Sequence, residues 1–253
     1  YLPRWVRRPL ATLLEGALRL VLPCFHALVA ATPSIRQRLS RHHRWVVEIK
    51  NFPILGALGD EPGAEVGLER RTSVCYVGGV TRARGALEMV AAAAHWPPGV
   101  ELVLAGPMED DALRKDLQRH PGWGRTRYLG VLDRQGVATL FRESFAGLVT
   151  LHPTPNHWEA YPVKLFEYMS AGLPVIASDF PLWRELVGEG DAACGVCVDP
   201  LDPKAIAGAV ERLRSDPVLA KAMGRRGREA VRARYNWDQE AVELVKLYER
   251  FGG

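Results

Sequence analysis

From residue 73 onward the chain alternates short apolar runs with amphipathic stretches. The runs at 74–77, 101–105, 126–129, 145–150, 174–177 and 195–198 are too short for helices and read as buried strands. Stretches such as 85–95, 133–142 and 180–187 carry their apolar positions at helical spacing. This alternation predicts an α/β fold, a doubly wound parallel sheet with helices on both faces. Asp133, Asp179 and Asp202 each precede a helical pattern as expected N-caps, the last followed by Pro203 at the first helical position. Three helical stretches close the chain; Ile206, Val210 and Leu213 form one apolar stripe, and Trp237, Ala241, Leu244, Tyr248 and Phe251 another. Ahead of residue 73, the pattern gives a strand at 27–31, a short helix at 34–41 and a strand at 45–49. Residues 56–70, rich in Gly, Glu and Pro, read as a connection.

Composition adds little to that picture and charge adds more. At 253 residues, 47% hydrophobic and 25% charged, the chain has ordinary globular make-up. Residues 1–50 hold nine Lys/Arg against two acids, so of the net +4 they carry +7 and the rest of the chain −3. The basic segment Arg4-Trp5-Val6-Arg7-Arg8 runs into an apolar helix over Pro9–Leu22, which is interrupted by Glu15 and Arg19 and is no transmembrane span. Two readings of it stay open: a helix lying on an anionic membrane surface through residues 1–30, or a core helix with solvated arginines at its end. Cys24, Cys75, Cys194 and Cys197 are too sparse for a disulfide scaffold and suit a reducing compartment. Cys194-Gly-Val-Cys197 enters an apolar strand, where a structural role is expected rather than zinc or redox chemistry.

The chemistry is concentrated between His157 and Ser178, which read as loop, helix, turn and strand. Pro162 suits the first helical residue, Val163, Phe166 and Ser170 share a face, and Gly172 supplies a left-handed stop. The helix N-terminus then faces the carboxyl edge of the sheet, a place for phosphate. Glu159 and Glu167, eight positions apart, flank it with two acceptor-only carboxylates suited to hydroxyl-rich ligands. Neither G-x-G-x-x-G nor a Walker lysine occurs, which disfavours a nicotinamide dehydrogenase or a nucleoside triphosphatase.

Glu159-x7-Glu167 followed by Ala171-Gly-Leu-Pro-Val-Ile-Ala177 resembles the sugar-donor motif of retaining glycosyltransferases of the GT-B fold, family 4, and the likeness extends from about Ser73 to Phe251. The resemblance implies a Rossmann-like C-terminal domain that binds a nucleoside-diphosphate sugar. It divides the chain into the tail of an acceptor-binding N-terminal domain (1–60), a linker (61–70), the nucleotide-sugar domain (71–236) and a helix crossing back (237–253). A complete family member has a full Rossmann-like unit ahead of residue 27, so the expectation is a piece of a longer enzyme, inactive alone. In the family's pattern Glu159 holds the hexose hydroxyls and Glu167 the ribose hydroxyls. Gly78-Gly79-Val-Thr-Arg82-Ala-Arg84-Gly85 is similar to the family's Gly-Arg-Leu-x-x-x-Lys-Gly, so Arg84 takes the place of the phosphate lysine. Gly79 replaces an arginine, for which Arg82 or Lys164 are the candidate substitutes, a solvated surface role being the other reading of Arg82.

Ala160-Tyr161-Pro162 departs from Gly-Phe-Gly. Tyr161 is expected to pack on sugar or base, Val163 and Lys164 keep their N–H groups for phosphate, and Gly130 and Val131 fall where the family lines its base pocket. His152 and His157 lack metal spacing and read as loop or core residues; Asn156 and Trp158 read equally as site or scaffold, and Arg225, Arg226 and Arg228 as a solvated helix face. The implied reaction is front-face hexose transfer with retention, without metal or cofactor, to a saccharide or lipid-linked acceptor in cell-surface polysaccharide or glycoconjugate synthesis. The expected place is cytoplasmic, peripheral at the inner membrane face, with no nucleic-acid partner. A nucleotide-sugar epimerase or hydrolase and a non-catalytic nucleotide-sugar-binding module are the alternatives.

Overall fold

The computed structural model describes residues 3–56 and 71–251, with backbone alone at 4 and 7. The expected linker at 61–70 lies outside the described residues. The chain divides into two compact units, Tyr1–Asn51 with Trp237–Gly253, and Phe52–Asn236.

The first unit begins with helix α1 (Arg4–Val21), which starts five residues before the expected Pro9 and holds that proline inside. The basic segment is therefore the first turns of the helix itself. Trp5, Leu13, Leu14 and Leu20 are all more than half exposed, so the described residues of this chain do not enclose α1 as a core helix. No helix among the described residues is long and apolar enough to cross a membrane. Strand β1 (Leu28–Ala30) pairs in parallel with β2 (Val46–Glu48) through α2 (Pro33–Leu39). Thr32 caps α2 by accepting from the Ile35 N–H, ahead of Pro33 at the first position.

All six apolar runs become strands of one parallel sheet in the second unit. They are β3 (Ser73–Val77), β4 (Glu101–Ala105), β5 (Thr126–Tyr128), β6 (Ser144–Val149), β7 (Val175–Ser178) and β8 (Gly195–Val198). Their order is β5-β4-β3-β6-β7-β8. The chain works outward from β3 to β5 and then returns to β6, so the loops after β3 and β6 part at the carboxyl edge and leave a crevice. Between the strands run α3 (Ala86–Ala93), α4 (Asp111–Arg119), α5 (Arg134–Glu143), α6 (Pro155–Trp158), α7 (Val163–Ser170) and α8 (Pro181–Val187). The pattern did not announce α4; Asp110 caps it and only Leu113 and Leu117 are buried, which leaves a helix too polar to stand out. Asp133 and Asp202 cap as expected, accepting from the N–H groups of Gly136 and Lys204. Asp179 does not: Phe180 takes the N-cap position of α8, and Asp179 instead receives the Arg184 guanidinium, one bond being 2.6 Å. Two core layers flank the sheet, one centred on Met89, Leu104 and Leu148, the other on Phe141, Tyr168 and Trp183. Phe52, expected in the N-terminal piece, belongs to the second layer; its ring meets Phe166 at 4.7 Å and Tyr235 at 5.5 Å.

The chain continues through α9 (Pro203–Ser215) and α10 (Pro217–Ala233) to α11 (Trp237–Phe251), which groups with the first unit. There Glu240 accepts from the Lys50 N–H at 2.7 Å, and Phe251 lies edge-on to Trp45. Cys194 and Cys197 are free thiols in and beside β8, and burial pushes them up to about 11 and about 12.

Candidate active site

The crevice above β3 and β6 is built by close backbone contacts that only glycine permits. Gly106, at φ +136° after β4, lies against Gly78; a Cβ there would stand 2.0 Å from the Gly78 carbonyl oxygen. Gly78 itself, at φ +135°, donates its N–H to Ala105 O, and Gly106 donates to Gly130 O at 2.7 Å. The turn after Gly79 is clasped from both sides: Val80 N–H bonds Pro107 O on one, and His152 N–H bonds Ala83 O on the other.

Helix α7 is held over this turn by its buried face. Tyr168 lies with its ring on Gly147 of β6, and its hydroxyl oxygen accepts from the Val77 N–H at 2.8 Å, which ties the helix to the end of β3. Pro162 is the N-cap rather than the first helical residue, at φ −72° and ψ 115°. The N–H groups of Val163 and Lys164 find no acceptor among the described residues. At the other end Gly172, φ +72°, closes the helix: its N–H bonds Met169 O, and Leu173 N–H bonds Tyr168 O, a Schellman pair. Helix α10 supports α7 from behind. Gly224 and Gly227 let the two approach, a Cβ on Gly224 standing 2.0 Å from Gly172 O, and Arg228 donates to Ser170 O and Ala171 O. Arg226 similarly bonds Ala193 O. The expectation of a solvated arginine face therefore holds for Arg225, which is exposed, and not for Arg226 or Arg228. Their partners lie 33 and 57–58 residues away in sequence, so the charge cluster alone did not reveal them.

Two cations converge on the glycine turn. A Cβ built on Gly78 would lie 2.7 Å from Lys164 Nζ and 3.6 Å from Arg84 Nη1, so those nitrogens are no more than about 6.3 Å apart. Arg84 Nη1 is also 3.2 Å from the Cβ position of Gly79. With both groups charged at that spacing the repulsion would be on the order of 2–3 kcal/mol at an effective dielectric near 20, which loss of the lysine proton or an anion between the two would relieve. Lys164 Nζ donates to the hydroxyl oxygen of buried Tyr76 at 2.8 Å and sits 4.0 Å from its ring centroid; Tyr76 donates onward to Gly79 O. Burial, reinforced by the Arg84 charge, drops Lys164 to about 7, against a smaller pull upward from Glu167. Burial likewise lifts Tyr76 to about 12. One turn further along α7, Glu167 is raised by burial and drawn back by Lys164 and by Arg134 at the start of α5.

Other expected residues go elsewhere. Arg82, two positions from Arg84, donates to Asp116 of α4 at 2.6 Å, while Glu109 accepts from its backbone N–H. Its guanidinium thus has a carboxylate partner outside the Gly78–Lys164 cluster, and of the two candidate substitutes it is the Lys164 side chain that reaches the glycine turn. Tyr161 is partly buried and packs beside Phe52 and Phe166, ring centroids 6.1 and 6.4 Å apart, at the margin of the second core layer. Glu159 follows α6 and is exposed at the carboxyl edge. Gly130, φ +68°, and the exposed Val131 stand at the end of β5. His152 pairs through Nε2 with Glu88 at 3.0 Å, and His157 Nδ1 meets His152 O, so both serve the loop itself. Tyr76 escaped sequence reasoning because it stands in an apolar run, where a tyrosine reads as core.

A parallel α/β fold of this kind is shared with known proteins. Residues 64–230 match the family of glycosyl transferases group 1. The chain belongs to that family. It is 32% identical over 160 residues to the phosphatidyl-myo-inositol mannosyltransferase of Mycobacterium tuberculosis, a match covering 62% of this chain and 40% of that protein. It is 29% identical over 205 residues to the alpha-maltose-1-phosphate synthase of Mycolicibacterium smegmatis, covering 75% and 52% respectively. The matched region thus spans about half the length of these relatives or less. Among solved structures, Anabaena HepE in complex with UDP and glucose superposes with a TM-score of 0.76 at 17% identity, over 95% of this chain and 67% of that one. That likeness shows the GT-B glycosyltransferase fold, and with the family match it makes this chain a family 4-like glycosyltransferase sequence.

Proposed function

We propose that this chain supplies the sugar-donor half of a retaining hexosyltransferase, which moves a hexose from a nucleoside-diphosphate sugar to a saccharide or lipid-linked acceptor. The observation that carries this reading is the convergence of Arg84 and Lys164 on Gly78 and Gly79, with Lys164 in the first turn of α7, whose leading N–H groups have no acceptor among the described residues. Solved relatives of the fold were crystallised with UDP and with UDP-glucose, which supports a nucleotide sugar as ligand. Breaking the anomeric C–O bond leaves the electron pair on the diphosphate. The groups needed there are positive ones already aimed, and Arg84, Lys164 and the α7 N-terminus meet that requirement without a metal. Glu167, whose carboxylate neighbours Lys164, would accept from the ribose hydroxyls and the exposed Glu159 from the hexose. In front-face transfer the acceptor hydroxyl attacks on the side the diphosphate leaves, and its proton passes to a phosphate oxygen of the leaving group. The acceptor would be held by the domain to which residues 1–51 contribute, at the cytoplasmic face of a membrane.

The test is a melting scan with UDP, GDP, ADP and adenosine, each with and without EDTA. Saturation at a hundredfold excess over Kd stabilises the folded state by about 2.7 kcal/mol. At about 2–4 °C per kcal/mol for a domain of this size, one diphosphate should raise Tm by roughly 5–11 °C, adenosine should do little, and EDTA should leave the shift intact. No shift with any diphosphate refutes the donor site; a shift abolished by EDTA refutes the metal-free reading.

A further inference from the structure

Lys164 differs from an ordinary phosphate-binding lysine in what surrounds it when the crevice is empty. Its side chain is largely buried, its hydrogen bond goes to the neutral Tyr76 hydroxyl, and no carboxylate among the described residues forms an ion pair with it. The charged groups that face it are Arg84 from the glycine turn, which opposes a second positive charge, and Glu167 one helical turn away, whose pull is the smaller of the two. Arg134, from α5, acts on Glu167. Tyr76, lifted to about 12, stays neutral across the working range, so the group that accepts from Nζ brings it no opposite charge. The Gly78–Gly79 backbone leaves open the space in which the two cationic side chains meet.

We infer that Lys164 is a proton-linked receptor for the donor's diphosphate: it rests on Tyr76 as an uncharged amine in the empty site, and takes one proton from the buffer as the diphosphate settles between it and Arg84. The inference rests on the nucleotide-sugar reading above and adds to it a pH control built into the binding step. The amine nitrogen gains the proton, the buffer acid loses it, and no other bond changes. The direction of the effect follows from the free and bound states. Well below pH 7 Lys164 is charged before the ligand arrives and almost nothing is taken up; well above it, each binding event must recruit a proton, and affinity falls tenfold per pH unit until the bound state itself titrates. Between pH 7 and pH 9 the loss is about fifty-fold.

The experiment is titration calorimetry of the chain with UDP-glucose, GDP-mannose and ADP-glucose in Tris and in HEPES, whose different ionisation heats report protons exchanged. Sugar nucleotides serve because their diphosphates carry no group that titrates near neutrality, unlike the free diphosphates, whose last ionisation lies near pH 6. With Lys164 at about 7, uptake should be about nine-tenths of a proton per ligand at pH 8 and about a quarter at pH 6.5. Lys164→Arg, always charged, should bind without uptake and with a flat pH profile. Binding with equal heats in both buffers overturns the inference and leaves the donor site standing, as does uptake that persists in Lys164→Arg. Failure of every sugar nucleotide to bind the folded chain removes the donor site and the inference with it. Should Lys164→Arg not fold, the two-buffer measurement on the unaltered chain still decides.

Discussion

Replacing Lys164 by methionine should make the protein more stable while weakening its hold on diphosphate. A lysine held at about 7 in the folded state instead of 10.5 costs the fold about 1.36 kcal/mol per pH unit of that difference, or about 4–5 kcal/mol at neutral pH and below. Methionine removes the charge, keeps most of the chain length and gives up the bond to Tyr76, about 1 kcal/mol. The expected net gain is roughly 3–4 kcal/mol, or about 6–16 °C in Tm. The pH dependence has a definite sign. The unfolded chain keeps the proton up to 10.5 and the folded chain only up to about 7, so Lys164's contribution to stability rises with pH between those values. The gap between Lys164→Met and the unaltered chain should therefore be widest at pH 6–7 and close by about pH 10. Melting scans across that range, without nucleotide or phosphate, measure it. Equal Tm values at pH 6, or a gap that does not narrow as pH rises, would refute the account of a lysine kept near neutrality by burial and Arg84.

Glu167→Ala should weaken UDP or GDP binding by about tenfold to a hundredfold, the worth of roughly 1.5–3 kcal/mol for a charge-assisted contact, whereas Glu159→Ala should spare it and damage transfer; equal losses in calorimetry would overturn that division. Arg84→Ala should slow transfer by around 10²–10³ with a smaller change in affinity. Arg82→Ala should retain near-full rate, because its partner is Asp116 and an exposed pair contributes little; a loss matching Arg84→Ala would return Arg82 to the site. The exposed apolar side of α1 should carry the chain onto anionic vesicles in sedimentation, with release by salt at about 1 kcal/mol per basic residue near the surface. Deletion of residues 1–22 should abolish this, and binding that survives the deletion would place the contact elsewhere.

What the sequence determined by itself was whatever neighbours in the chain settle among themselves. Six apolar runs, each a few residues long and most of them followed by a helical pattern, leave a parallel sheet as the arrangement that buries them, and they form it. Asp133 and Asp202 cap because an N-cap's partner is two or three residues ahead, and Gly172 ends α7 for an equally local reason. The eight-residue spacing of Glu159 and Glu167 put one carboxylate before α7 and the other inside it without reference to the rest of the fold. Tertiary structure decided where long side chains ended, because their partners lie far along the chain. Arg82 and Arg84 share one turn, yet the first is taken by Asp116, 34 residues away, and the second joins Lys164 over the glycines. Lys164 meets Tyr76 across 88 residues, and that burial, together with Arg84, is what moves its charge toward neutrality; nothing in Pro-Val-Lys-Leu-Phe announces it. Asp179 was settled by a near neighbour other than the one expected, since the Arg184 guanidinium five residues on holds its carboxylate and Phe180 is left at the cap position. Arg228 and the glycines at 106, 147 and 224 belong to the same class, residues whose roles exist only once another strand or helix has come within van der Waals contact.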